Sequence, residues 1–201
     1  MKLGRISTLT VAVATAIAAM LFMWTLVQAV YYDPDSYVAD VATSTAPVVV
    51  PPGALPARLE IPSLNIHASV QDLGINAAGA MQAPDNFVDV GWYKYGVPPG
   101  YTGSAVIDGH VDNGLGLNGV FKYLDNIKVG DDVYVVTQGG YTLHFVVTDI
   151  EVYPYTDAPT DLIFGQDDAA RLNLITCDGT WVNGKDTYNE RLVVFTTLAD
   201  S

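Results

Sequence analysis

Apolar and polar positions alternate from Leu172 to Cys177. Leu172, Leu174 and Thr176 share one face, and Asn173, Ile175 and Cys177 share the other, the period of an extended strand. Asp178-Gly179 predicts a turn next, which sets Cys177 at the strand's end, facing a cleft. Upstream, Arg58 to Pro62 alternates and Ser104 to His110 reads as a buried strand ending in a histidine. Between them, Leu64, Ile66 and Val70 continue in short extended pieces, and residues 79–98 are rich in turn formers. Val120, Phe121, Leu124 and Ile127 have helical spacing and predict a short helix. Asp132 to Thr137 and Tyr141 to Val152 form two strands joined across Gln138-Gly139-Gly140, a hairpin signal. Residues 155–170 read as a loop with one helical turn at Leu162-Ile163-Phe164, and Arg191 to Leu198 as the last strand. Many short strands punctuated by Gly and Pro predict a mainly β fold, a closed or nearly closed barrel.

A different pattern opens the chain. From Thr8 to Val30 it is almost wholly apolar and carries no charge, and about 20 such residues span a bilayer as a helix. Lys2 and Arg5 precede the stretch and Asp33 and Asp35 follow it. Positive charge stays cytoplasmic, so the expected arrangement is a single-pass anchor with the N-terminus inside and the rest of the chain outside. The competing reading is a cleaved signal peptide, since Val27-Gln28-Ala29 loosely fits a cleavage site, but signal h-regions are shorter. Residues 1–30 are therefore expected to be the membrane anchor, 31–57 a tether with Pro47, Pro51, Pro52 and Pro56, and 58–201 one globular domain. Val48-Val49-Val50 in the tether has the alternative of pairing on a sheet edge.

Charge narrows the partners. The formal net charge is −13, and setting aside Lys2 and Arg5 leaves seven basic against 22 acidic residues. Such a surface repels phosphates, which excludes nucleic-acid binding. The chain has one cysteine, so it makes no internal disulfide. A leftover thiol in an oxidising compartment is a candidate nucleophile as well as a candidate core filler.

Three residue types then point to chemistry. Cys177 ends its strand. His110 follows Gly109 at the end of another, where an imidazole can move a proton near neutral pH. Arg191 starts the last strand, opposite Cys177 if those strands pair antiparallel, where a fixed cation stabilises a developing oxyanion. Its alternative is a surface ion pair with Glu190 or Asp178. His144 and His67 read as structural. Asp112 either orients His110 or is a polar turn residue, and Trp181 either lines the cleft or caps the barrel.

Thr176-Cys177 ending a Leu-Ile-Thr-Cys strand, Gly109-His110 upstream, and Arg191 before Leu192-Val193-Val194 together resemble the sortases over residues 58–198. Leu59-Glu60-Ile61-Pro62, Val90-Gly91-Trp92-Tyr93 and Ala105 to Asp112 are most similar to class F, or neighbouring class E, members. The resemblance implies an eight-stranded sortase barrel and a cysteine transpeptidase with Cys177 as nucleophile, His110 as acid/base and Arg191 as oxyanion clamp. Thr176 would set the active-site strand and touch substrate, with Trp181 beside it. The implied reaction cleaves a Leu-Pro-x-Thr-Gly-like signal at Thr-Gly and transfers the acyl group to an amine, either of a cell-wall precursor or of a lysine on a pilin. No cofactor is implied. Some sortases bind calcium, but Asp157, Asp161, Asp167 and Asp168 match no ligand spacing. A catalytically silent, membrane-tethered barrel that binds peptides is the alternative from another class, and it requires Cys177 and His110 to be buried apart.

Overall fold

The computed structural model describes residues 8–31, 38–40 and 53–199, apart from 78, 114, 115, 167 and 186. The elements in chain order are α1 (Thr8–Tyr31), β1 (Val38–Asp40), β2 (Pro56–Ile61), β3 (Ile66–Leu73), β4 (Ala80–Met81), β5 (Val90–Tyr93) and β6 (Gly103–Asp108). They continue with β7 (Asp132–Thr137), β8 (Thr142–Pro154), α2 (Thr160–Phe164), β9 (Ala170–Val182) and β10 (Thr187–Leu198). Eight strands close into a barrel in the order β10-β8-β7-β2-β3-β5-β6-β9. The expected mainly β barrel is therefore the observed fold. The stretch expected to anchor the chain is helical, and among the described residues no helix is long and apolar enough to cross a membrane. Part of the expected tether, β1, instead pairs antiparallel with β4, while Val48 to Val50 lie outside the described residues.

Strand alternation divides the core into two layers. Leu59, Ala105, Ile107, Leu172, Leu174, Leu192 and Val194 point inward with Phe121 and Phe145. Val106, Ile175, Val193 and Phe195 point outward and are covered by Leu73, Met81, Tyr93 and Ile163 of α2. Both layers are closed to solvent, so a one-residue slip of β6 or β9 would exchange the two sets of side chains.

Two local expectations need correction. Residues 120–127 are not an α-helix: they form turns and a 3-10 turn at Leu124–Asn126. Their first amides are spent elsewhere, Val120 N on Phe87 O (2.7 Å) and Phe121 N on His110 O (2.9 Å), leaving the side-chain period to bury Phe121 and Leu124. Nor does the chain turn after Asp178. The β9–β10 ladder runs on to Val182 opposite Thr187, with a register shift between Tyr188 and Glu190. Gly179 absorbs the irregularity with φ at 82°, Asn189 Oδ1 takes the Thr180 amide, and Trp181 packs edge-on against Tyr188 at 5.4 Å.

The β5–β6 contact sets a steric limit. Gly91 pairs with Asp108, and a Cβ added at Gly91 would lie 1.9 Å from Leu73 Cδ1. Gly91→Ala should therefore cost about 1–3 kcal/mol through overpacking, and pairing it with Leu73→Ala should recover part of the loss. Thermal melts of the two single variants and the double variant check this.

Candidate active site

The site is a row of side chains across three adjacent strands. β6 and β9 run parallel with Asp108 opposite Ile175, and Gly109 N continues the ladder to Ile175 O at 3.2 Å. Two residues beyond that pair, His110 and Cys177 come level. β9 and β10 run antiparallel with Cys177 opposite Arg191. Ile175 and Val193 belong to the outer layer, so Cys177 and Arg191, two residues away on the same strands, project outward. Gly109 faces Val120 and Phe121, which turns His110 to that same outer side. Imidazole, thiol and guanidinium thus lie in that order on one face, with strands about 4.8 Å apart.

Each member is held by its own contacts. Thr176 points inward, and its buried hydroxyl donates to Gly109 O at 2.7 Å, locking β9 to the segment that carries His110. Such a bond is worth about 1 kcal/mol, and leaving either group unpaired costs more. Gly119 has no room for a side chain, because a Cβ there would lie 2.2 Å from His110 O. The imidazole is 7% exposed, packs against the Phe87 ring at 5.3 Å, and places Nε2 2.9 Å from Pro84 O. A carbonyl only accepts, so Nε2 carries the hydrogen, and Nδ1 is the nitrogen without one in the neutral ring. Asn86 stiffens this clamp by taking the Val88 and Asp89 amides on Oδ1.

Arg191 is buried rather than a surface ion-pair partner. Its guanidinium donates to Glu190 O (2.8 Å), Tyr188 O (3.1 Å) and Thr187 Oγ1 (2.8 Å), and lies 5.8 Å from the Tyr155 ring centre. Cys177 is half-buried and opens on a groove of about 250 Å³ walled by Val111, Phe121, Tyr123 and Leu192, with Asp125 and Asp178 as its acidic groups. The thiol therefore does not point into the core.

The remaining candidates fall into place around this row. Asp112 accepts from Tyr188 Oη at 2.6 Å and pairs with Lys122 at 3.5 Å, so it braces the segment after His110 against β10. Trp181 is exposed and is not among the groove's walls. His144 stacks on Tyr134 and bonds Asp132, and His67 is exposed. Asp168 is engaged by Arg171, whose guanidinium pulls that carboxyl below its usual range. Among the described residues no group of three or more His, Cys, Asp or Glu is arranged to hold a metal ion. The sequence reading missed the Pro84–Phe87 clamp and Asp108. The one available signal was the acid itself, closing the apolar run Ala105-Val106-Ile107.

A closed β-barrel with a thiol, an imidazole and a guanidinium aligned at the mouth of a groove defines the class of protein. The chain belongs to the sortase family: residues 59–199 match the Sortase domain. Among solved structures, it resembles sortase C-1 from Actinomyces oris at 25% identity and a TM-score of 0.56, over 72% of this chain and 73% of that one. The fold is also that of sortase A from Corynebacterium diphtheriae (22% identity, TM-score 0.58, 94% and 86% covered). A sortase D5 transpeptidase from Clostridium perfringens shares it as well (21%, 0.54, 72% and 79%). None of the curated proteins matches the chain.

Two measurements follow from the site. In protein labelled with 15N-histidine, the neutral His110 ring should show a protonated Nε2 and a bare Nδ1; the opposite tautomer would break the Pro84 clamp. Burial pushes the Asp108 carboxyl well above its ordinary value of 3.8, and its own backbone amide draws it back only in part. The folded state then holds the proton more tightly than the unfolded one, so stability falls as pH rises above about 4, until the folded value is passed. Asp108→Asn should flatten that decline and melt higher near neutral pH, as read by melts across a pH series.

Proposed function

We propose that the protein is a membrane-anchored cysteine transpeptidase of the class F or neighbouring class E sortases, with its barrel on the outer face of the cell membrane. The observation that carries the reading is the His110–Cys177–Arg191 row on one face of β6, β9 and β10. The class assignment rests on Leu59 to Pro62, Val90 to Tyr93 and Ala105 to Asp112. The anchor rests on the uncharged run from Thr8 to Val30 and the basic residues before it.

The chemistry follows from the positions. A thiolate on Cys177, stabilised beside an imidazolium, attacks the Thr carbonyl of a Leu-Pro-x-Thr-Gly-like signal on an exported protein. The tetrahedral oxyanion falls to Arg191, whose bonds to Glu190 O, Tyr188 O and Thr187 Oγ1 help to fix the cation before the reaction. His110 gives its proton from Nδ1 to the leaving glycine amine, and the C–N bond breaks to leave a thioester. An incoming amine of the cell wall loses its proton to the same nitrogen as it attacks, forming the new amide and freeing the thiol. The Pro84 carbonyl takes the Nε2–H throughout, so the ring keeps its orientation in both charge states.

The test uses purified protein, a panel of sorting-signal peptides and two amines, triglycine and a lysine amide. Mass spectrometry should find the peptide acylated on Cys177 and then joined through Thr to one amine. Cys177→Ala should abolish both products, and Arg191→Ala should slow acylation by about a hundredfold. Coupling to lysine alone would place the enzyme among polymerising sortases. Absence of any acyl group on Cys177 with the whole panel would overturn the reading in favour of a peptide-binding barrel.

A further inference from the structure

The carbonyl that orients His110 belongs to a rigid unit with two ends. Pro84 O takes the His110 Nε2–H at 2.9 Å, and the N–H of the same peptide plane is that of Asp85. No peptide bond among the described residues is cis, so this carbonyl and this N–H point in opposite directions from one plane. The imidazole holds one edge of the plane. Gln71, on β3, holds the other, with Oε1 accepting from Asp85 N at 3.2 Å.

The Gln71 amide is itself fixed. Its Nε2 donates to Asp85 Oδ1 at 2.6 Å and to Asp89 Oδ2 at 3.1 Å. An amide nitrogen donates and an amide oxygen accepts, so the two carboxylates leave one orientation for the group. Asn86 Nδ2 donates to the same two acids, at 3.2 Å and 2.8 Å, and closes the network. Main-chain bonds tie the segment on either side, Gln82 N to Gly74 O (3.0 Å) and Val120 N to Phe87 O (2.7 Å). Those bonds set where the segment runs, and Gln71 sets how the Pro84–Asp85 peptide is turned within it. Register puts both partners in one frame. Gln71 is opposite Gly91 across β3 and β5, Gly91 is opposite Asp108 across β5 and β6, and His110 follows Asp108 by two residues.

We infer that Gln71 is a positioning residue for His110: by holding the Asp85 N–H it keeps the Pro84 carbonyl aimed at Nε2, and so selects the tautomer of the ring. This deepens the proposed transpeptidase function and rests on it for the effect on rate. A side chain of the same length without the amide frees the peptide plane to rotate. The carbonyl then swings off the ring, Nε2–H loses its acceptor, and the preference for one tautomer falls. Gln71 is not among the residues that wall the groove at Cys177, so its loss acts through the imidazole.

The test compares wild-type protein with Gln71→Met, which keeps the length and removes the amide. In 15N-histidine spectra the wild-type His110 ring should show one neutral tautomer, protonated at Nε2. Gln71→Met should show a mixture, with the two ring nitrogens drawn together in shift, while His67 and His144 stay as in wild type. In single-turnover acylation of Cys177 the maximal rate should fall about tenfold, the order of one lost hydrogen bond. The half-saturating peptide concentration should stay within about twofold. Either an unchanged His110 ring or an unchanged maximal rate in folded Gln71→Met protein overturns the inference. So does a large rise in half-saturating peptide, because Gln71 would then act on the substrate.

A second variant keeps the test decisive if thermal melts show that Gln71→Met does not fold. Asp85 is exposed, and Asp85→Ala keeps the N–H while removing the carboxylate that orients Gln71 Nε2. It should move the His110 ring in the same direction by a smaller amount, and an unmoved ring overturns the inference. If wild type takes an acyl group from no peptide, the transpeptidase reading has failed, whereas the ring spectra still decide whether Gln71 selects the tautomer.

Discussion

The register of β9 against its two neighbours is the constraint on which the rest of the site depends. β9 meets β6 in parallel and β10 antiparallel; the β10 ladder runs unbroken through Cys177, and the β6 ladder ends at Asp108–Ile175, two residues before it. Side chains alternate across a strand, so a one-residue slip on either side would send His110 or Arg191 to the barrel interior and Leu174 or Leu192 to the cleft. The apolar cost of that exchange protects the chemical geometry. Thr176 adds a lock at the one place where the main ladder of β6 has ended, by bonding Gly109 O from the inside of the barrel.

This arrangement explains why so much of the site was legible in the sequence. The alternation Leu172 to Cys177 assigned faces correctly, because both faces of β9 are buried against different layers and each demands apolar residues of its own. Arg191 was placed opposite Cys177 by the same logic of antiparallel pairing. Other features lay beyond that logic. The helical period at 120–127 was real, but Phe87 and His110 compete for its amides, and competition from distant segments leaves no local mark. The ladder past Asp178 survives an Asp-Gly signal because Gly179 adopts a left-handed φ inside a bulge rather than in a tight turn. The Pro84 carbonyl that orients His110 is main chain, and a main-chain acceptor has no residue signature at all.

Cys177 stands between two different surfaces. One is the open groove on the side of Tyr123, Tyr188 and Asp178. The other is the covered strip over Ile175 and Asp108, beneath α2.

The polar groups on the two surfaces differ in kind as well as in access. In the groove the acids, Asp125 and Asp178, are at least partly open to solvent, and such groups are satisfied with or without a ligand. On the strip, Asp108 and Asn173 each hold an oxygen without a partner in a place water does not reach. An unmet buried group raises the free energy of the empty protein by about 1–3 kcal/mol, a cost that packing alone does not require when Ala or Val would fill the same space. The orphaned oxygens therefore separate the two surfaces physically: the groove's polar groups are met by solvent, and on the strip the packing leaves two of them unmet.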